Sequence, residues 1–323
     1  FHNNLLGMSY LGLKDYESSI NIFLKCIDIK EINNDETNLD ILFINLAIVY
    51  NACNDIKNCL KYYLKAHRAN NINLNALENI IDIYFFENDL ISTKNYINKA
   101  LFIDKNNEVA MHRLGLILFK ENEFDLAIKN LKSLIKISTN STIYKYDLAN
   151  IYLAIEQHKD AENLYLDIIK EKPEFSECYS NLGVTYQKIG NLDKSKEYFS
   201  EAINLEPDNV ISINNLALIH VDQENYQEAQ ENLEWSLSLD ETNYITSNLL
   251  AKVHFLTNNY KVCDEYIEKS LLLAPDDIET LILVGSILFS RNLLKEANDI
   301  YLKALKLSPD NVNILSNLGH LNT

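Results

Sequence analysis

His220 and His254, 34 residues apart, are the side chains whose type and spacing come nearest to a metal site. In a chain that repeats with that period, each imidazole sits on a separate structural unit. Equivalent points on successive units lie about one helix-packing distance apart, roughly 8–10 Å. That is too far for easy shared ligation of one ion, so both histidines read as fillers of a slot held elsewhere by tyrosine or leucine. The five cysteines, Cys26, Cys53, Cys59, Cys178 and Cys263, are odd in number and include no C-x-x-C pair. They read as reduced thiols that pack as small hydrophobes. Phosphate-cradling glycine loops, G-x-S-x-G and H-E-x-x-H are all absent from the sequence. Carboxylates fall mostly on outward helical faces, and the sequon Asn140-Ser141-Thr142 counts only in a secreted protein. The sequence therefore predicts no catalytic centre, no metal and no cofactor within these residues.

The elements that carry these side chains are set by a period. The chain has four prolines, and Pro173, Pro207, Pro275 and Pro309 are separated by 34, 68 and 34 residues. Three of them stand in near-copies of one phrase, "LEPDN", "LAPDD" and "LSPDN". A fixed period of this size means stacked supersecondary units. The lattice places units at 40, 74, 108, 142, 176, 210, 244 and 278 without a gap. A further unit precedes residue 40, starting near Phe1 and carrying an extra loop at 32–37, and a half unit covers 312–323. Position 8 of the unit is tiny, as at Gly7, Ala47, Gly183 and Gly285, with Ile81 the exception. Position 20 is small, and position 24 is bulky, as at Phe23, Tyr63, Phe199 and Tyr301. Position 15 carries Asn54, Asn88, Asn122, Gly190, Asn258 and Asn292, residues that tolerate the left-handed conformation at a helix end. Each unit thus reads as helix A, a tight turn, helix B stopped by proline, and Asp-Asn to start the next helix A.

The clearest unit, 176–209, is "SECYSNLGVTYQKIGNLDKSKEYFSEAINLEPDN". With Leu182-Gly183, Tyr186, Ser195, Phe199, Ala202 and Pro207 at their places, it resembles the tetratricopeptide repeat, and the resemblance covers essentially all of residues 1–323. It implies an all-α solenoid: a right-handed superhelix of antiparallel helix pairs, with about nine repeats plus the terminal half repeat in a single array. It also implies a concave groove, lined by A helices, that binds an extended peptide or a partner helix.

In the O-linked N-acetylglucosamine transferase type of repeat, an Asn at position 6 hydrogen-bonds a bound peptide backbone. Here that position holds Asn45, Asn79, Asn181, Asn215 and Asn317. Asn is roughly one residue in eight, so about one chance match in nine units is the background. The ladder is interrupted by Arg113, Asp147, Leu249 and Leu283. Position 12 adds Phe85, Phe119, Phe255 and Phe289, a stripe that either packs between A helices or offers apolar anchor sites. The carboxylate clamp of chaperone-binding repeats needs several groove cations, and only Lys120, Lys188 and Lys252 are candidates.

Composition narrows the partners. The chain has 29 Lys and Arg against 46 Asp and Glu, a net charge of −17, which repels phosphate backbones and anionic membranes. No apolar run is long enough to cross a bilayer, and no signal-like segment opens the chain. The expectation is a cytoplasmic protein-protein interaction scaffold. The ends lack polar capping helices, so the sequence reads as an excerpt of a longer chain, whose missing N-terminus could carry a targeting signal. Uncapped ends also allow self-association. The alternative reading is the substrate-recruiting arm of a larger glycosyltransferase-type enzyme.

Overall fold

Each 34-residue period contains two runs whose apolar residues recur at helical spacing, and each run folds as a helix. The computed structural model describes residues 2–321, and these hold 19 α-helices and no strand. They gather into two compact units that meet at Ile155 and Glu156 in the sequence. The first unit contains α1 (His2–Gly12), α2 (Tyr16–Ile32), α3 (Leu39–Ala52), α4 (Ile56–Ala69) and α5 (Leu74–Phe86). It continues with α6 (Leu90–Ile103), α7 (Glu108–Lys120), α8 (Phe124–Ile137) and α9 (Thr142–Ala154). The second opens with α10 (His158–Glu171), α11 (Ser176–Ile189), α12 (Leu192–Leu205), α13 (Val210–Asp222) and α14 (Tyr226–Leu239). It closes with α15 (Tyr244–Leu256), α16 (Tyr260–Leu273), α17 (Ile278–Ser290), α18 (Leu294–Leu307) and α19 (Val312–Leu321).

Starts and stops follow the expected chemistry. The side chains of Asn73, Asn107, Asn209, Asn243 and Asp277 each accept the amide of the third residue on, at 2.8–3.2 Å, and so cap the odd-numbered helices. Between an odd helix and its even partner the chain turns through one left-handed residue. Asn54, Asn88, Asn122, Asn258 and Asn292 have φ between 59° and 63°, and Gly190 has φ 83°. Three units break the rule, with Lys14 at φ 60°, Glu156 at φ 61° and Glu224 at φ 62°. A left-handed L-residue costs about 1–2 kcal/mol, whereas glycine there costs about 0.5–1 kcal/mol through the entropy of the unfolded chain. Glu224→Gly is therefore expected to stabilise α13 and α14 by about 0.5–1 kcal/mol, read as slower amide exchange in those two helices.

Within a helix pair the small residue at position 8 lies under the bulky one at position 24. A Cβ built on Gly183 would stand 2.7 Å from the Phe199 ring, and one on Gly7 would stand 2.7 Å from the Phe23 ring. Position 24 therefore fills the seam of its own pair. Where position 20 is serine, its hydroxyl donates to the carbonyl of position 8, as Ser19 to Gly7 and Ser195 to Gly183, both at 2.7 Å. That satisfies a polar group inside a seam where an unpaired one is costly. Positions 11 and 23 add stacked rings across the pair: Tyr50 on Tyr62, Tyr84 on Tyr96 and Tyr186 on Tyr198, at 5.3–5.7 Å.

In both units odd helices also pack on odd helices, as α5 on α7, α13 on α15 and α15 on α17, while successive even helices make no comparable contact. The odd-helix side of each unit is thus its closer-packed, inner side.

Candidate functional site

The open face of the odd helices can be read from burial along α13. Ser212, Ile213, Asn214, Leu216, Ala217, Ile219, His220 and Val221 are buried, leaving Ile211, Asn215, Leu218 and Asp222 outward. These are positions 2, 6, 9 and 13, which share one side of a helix. The same positions are exposed or half-buried on α11, α15 and α17.

In the first unit this face also exposes apolar side chains, Ile41, Phe86 and Ile143, but several of its polar side chains are satisfied from within. Asn45 Nδ2 donates to Asn4 Oδ1 at 2.7 Å, linking α3 to α1. Asn79 turns back on its own helix and donates to the Asn75 carbonyl at 2.8 Å. Arg113 Nε donates to Asp82 Oδ1 at 2.7 Å, and His112 Nε2 pairs with Asp147 Oδ2 at 2.6 Å. The two charged interruptions of the Asn series are therefore rungs between neighbouring odd helices. The phenylalanines are covered too. Arg113 lies 5.0 Å from the Phe85 ring centre and Lys120 lies 4.9 Å from it, an arrangement that favours the cation over the ring face. Phe119 tilts against Phe124 at 5.8 Å. Phe86, which sequence reasoning passed over, is 74% exposed beside Phe85.

The second unit differs. Asn181, Asn215 and Asn317 are half-buried. The side chains of Asn215 and Asn317 make no hydrogen bond among the described residues, whereas Asn181 has an internal partner. On this face of the second unit Ile211 is 71% exposed and Ile245 50%, Leu218, Leu249 and Leu283 are half-buried, and Phe289 toward the end of α17 is 37% exposed. Phe255 is half-buried and tilted on Tyr260 at 6.3 Å.

Beneath that face runs a buried ladder that sequence reasoning missed. Ser180 pairs with Ser212 at 2.5 Å, Asn214 donates to Thr246 at 2.9 Å, and Asn248 donates to Thr280 at 2.8 Å. Every member is at most 8% exposed. Each rung joins position 5 of one odd helix to position 3 of the next, a separation of 32 residues. The signal was present as Ser or Asn at 5 and Ser or Thr at 3, in consecutive units only from 176 onward.

The residues first weighed for chemistry are packed away. His254 stacks on Tyr266 at 5.6 Å, the slot held by Tyr186 on Tyr198. His220 and His254 are buried, and burial holds both below the ordinary histidine value of 6.5. Burial raises the Cys59 thiol to about 11 and the Cys178 thiol to about 12, so neither is a ready thiolate at neutral pH. Among the described residues no group of three or more His, Cys, Asp or Glu side chains could hold a metal ion, and no helix is long and apolar enough to cross a membrane.

Paired helices of 34-residue period, with a small residue under a bulky one in every seam but that of α5 and α6, where Ile81 stands, define a tetratricopeptide repeat solenoid. The profile of that repeat itself matches residues 3–33. The chain belongs to the family described as the cilia and flagella-associated protein 70 C-terminal domain, whose profile matches residues 46–313. It is 30% identical over 107 residues to a UDP-N-acetylglucosamine–peptide N-acetylglucosaminyltransferase of Giardia intestinalis, covering 33% of this chain and 7% of that protein. It is 23% identical over 199 residues to the BBSome complex member BBS4 homolog of Drosophila melanogaster, covering 59% of this chain and 38% of that one. The chain thus spans well under half of either relative. A crystal structure of a tetratricopeptide repeat protein from Parabacteroides merdae superposes with a TM-score of 0.65 at 18% identity, over 77% of this chain and 99% of that one. At that identity the likeness is one of fold.

Proposed function

We propose that this chain is a protein-interaction scaffold that docks an extended peptide or a partner helix along the open face of its odd helices. The observation that carries it is Asn215, a half-buried carboxamide with no internal partner, set among exposed isoleucines. A carboxamide offers both a donor and an acceptor to a peptide bond, and the apolar side chains around it supply burial on contact. Membership of a complex by the BBSome relative supports the reading. The family description supports looking for the partner among proteins of cilia and flagella.

Peptides selected on the wild-type chain from a displayed random library are expected to bind Asn181→Ala/Asn215→Ala at least about tenfold more weakly. Helicity and melting should stay unchanged. Equal binding by the double variant, or a lower melting temperature with it, would assign these residues to structure alone.

A second reading, recruitment of substrates to a catalytic domain on the same polypeptide, is favoured by the similarity to the glycosyltransferase. The transcript beyond Thr323 discriminates. A glycosyltransferase domain there supports it, and further repeats or a stop codon count against it.

A further inference from the structure

We infer that the odd-helix face of the second unit docks a cationic amphipathic segment of a partner protein, one stripe apolar and its flanks rich in Lys and Arg. This rests on the docking reading above and specifies what the face takes. The apolar half of the argument is Ile211 and Ile245, 71% and 50% exposed at the second residue of α13 and α15. Leu218, Leu249 and Leu283 are half-buried on the same face, and Phe289 is 37% exposed toward the end of α17. An exposed, contiguous apolar strip with a polar border is the ordinary signature of a protein contact.

Charge supplies the other half. Residues 1–155 carry 16 Lys and Arg against 18 Asp and Glu, a net charge of −2. Residues 156–323 carry 13 against 28, a net charge of −15. From 197 to 251 there are 11 carboxylates and no Lys or Arg. The excess is placed beside the strip. Four of the five turns that lead into the second unit's odd helices, at 206–209, 240–243, 274–277 and 308–311, hold seven carboxylates and no cation. One of the seven, Asp276, is paired with Lys303 at 3.2 Å, and the fifth turn, at 172–175, holds Lys172 and Glu174. The corresponding turns of the first unit, at 34–38, 70–73, 104–107 and 138–141, hold three carboxylates and Lys105. Ile211 and Ile245 are the second residues of their helices, so each lies within one turn of this rim. Asp240 accepts two hydrogen bonds from Thr242, which hold its carboxyl below the ordinary range and keep it ionised. Lys252 is the one cation among positions 2, 6, 9 and 13 of α13, α15 and α17.

An apolar strip edged by fixed negative charge selects a ligand with the opposite edge, and discriminates against acidic segments by like-charge repulsion. The same face of a second copy is disfavoured as the occupant for the same reason, since two second units would bring −15 against −15.

The test uses the whole chain and three labelled synthetic peptides: one with leucines at helical i, i+3, i+4, i+7 spacing and lysines elsewhere, the same peptide with glutamates for the lysines, and a lysine peptide without leucines. Binding is read by fluorescence anisotropy at about 50 and 300 mM salt. The first peptide is expected to bind at least about tenfold more tightly than either of the others, and to weaken with salt. Ile211→Ser/Ile245→Ser should lose at least about tenfold of that affinity with unchanged melting.

Equal binding of the glutamate peptide, lost in the Ile variant, would overturn the cationic preference and leave the docking reading standing. Binding of the lysine peptide without leucines as tightly as the first would reduce the effect to bulk charge and overturn the inference. If no peptide responds to the Ile substitutions, both readings fall at this face. Self-association abolished by the Ile variant in light scattering would instead assign the strip to a second copy.

Discussion

Phe199→Ala removes about 3–5 kcal/mol of local stability and Gly183→Ala about 1–3 kcal/mol, while the double variant loses clearly less than the two together. The Phe199 ring is fully buried, so truncation costs the transfer of its atoms from water and leaves a cavity at the seam of α11 and α12. Gly183 fails in the opposite direction. A Cβ there would lie 2.7 Å from the same ring, closer than unstrained carbon atoms approach, so either the ring or the helix must move. Combining the two changes puts the added methyl into the space the ring vacated. Amide exchange of α11 and α12 in the four proteins gives the coupling term directly. Strict additivity would show that the small residue at position 8 is not there for the ring. The chain itself carries alanine at position 8 beside Leu233 and Ile267, and also beside the buried rings of Tyr63 and Tyr165, so the conflict at Gly183 lies in how closely the Phe199 ring is seated on it.

Thr246→Val is the second large effect, at about 1–3 kcal/mol, although the two side chains have nearly the same shape. Thr246 Oγ1 accepts from Asn214 Nδ2 at 2.9 Å, donates to Asn214 Oδ1 at 3.2 Å and lies 3.1 Å from Ser236 Oγ. All three residues are buried. Valine leaves the Asn214 carboxamide without a partner in a place water does not reach, and that desolvation is not returned. Thr246→Val/Asn214→Leu removes both partners and should recover most of the loss. Exchange protection in α13 and α15 separates the outcomes. A single variant as stable as the wild type would mean the ladder is replaceable by any packed side chain, and a double variant no more stable than a destabilised single one would mean the unpaired Asn214 is not the source of the loss.

Much of the architecture could be read without coordinates, because each signal belongs to one residue at one lattice position. Proline in the B-to-A turn stops a helix, Asn54 or Gly190 permits the left-handed turn, and Gly183 leaves room for a ring. None of these depends on how neighbouring units are staggered. The face was less legible for that reason. Comparison at intervals of 34 lines up like with like, whereas the contacts between odd helices join unlike positions. Arg113 reaches Asp82, 31 residues back, and His112 reaches Asp147, 35 residues on. The rungs of the buried ladder are 32 apart. Asn45 and Asn79 hold their column in the sequence, yet one spans two helices and the other folds back on its own. Which of these a side chain does is set by the reach to its neighbour, and one chain read column by column does not contain that distance.

Odd helices touch their sequence neighbours and the next odd helix, and little else. Such contacts are local in sequence, so each pair gathers its own core soon after it is made and the chain folds without waiting for distant partners. The same locality makes length an adjustable property. A duplicated 34-residue pair inserted between two others meets the surfaces it left behind and extends the face by about one helix spacing, roughly 8–10 Å. Ligand footprint can then change by whole repeats, with no residue elsewhere in the stack needing to adapt.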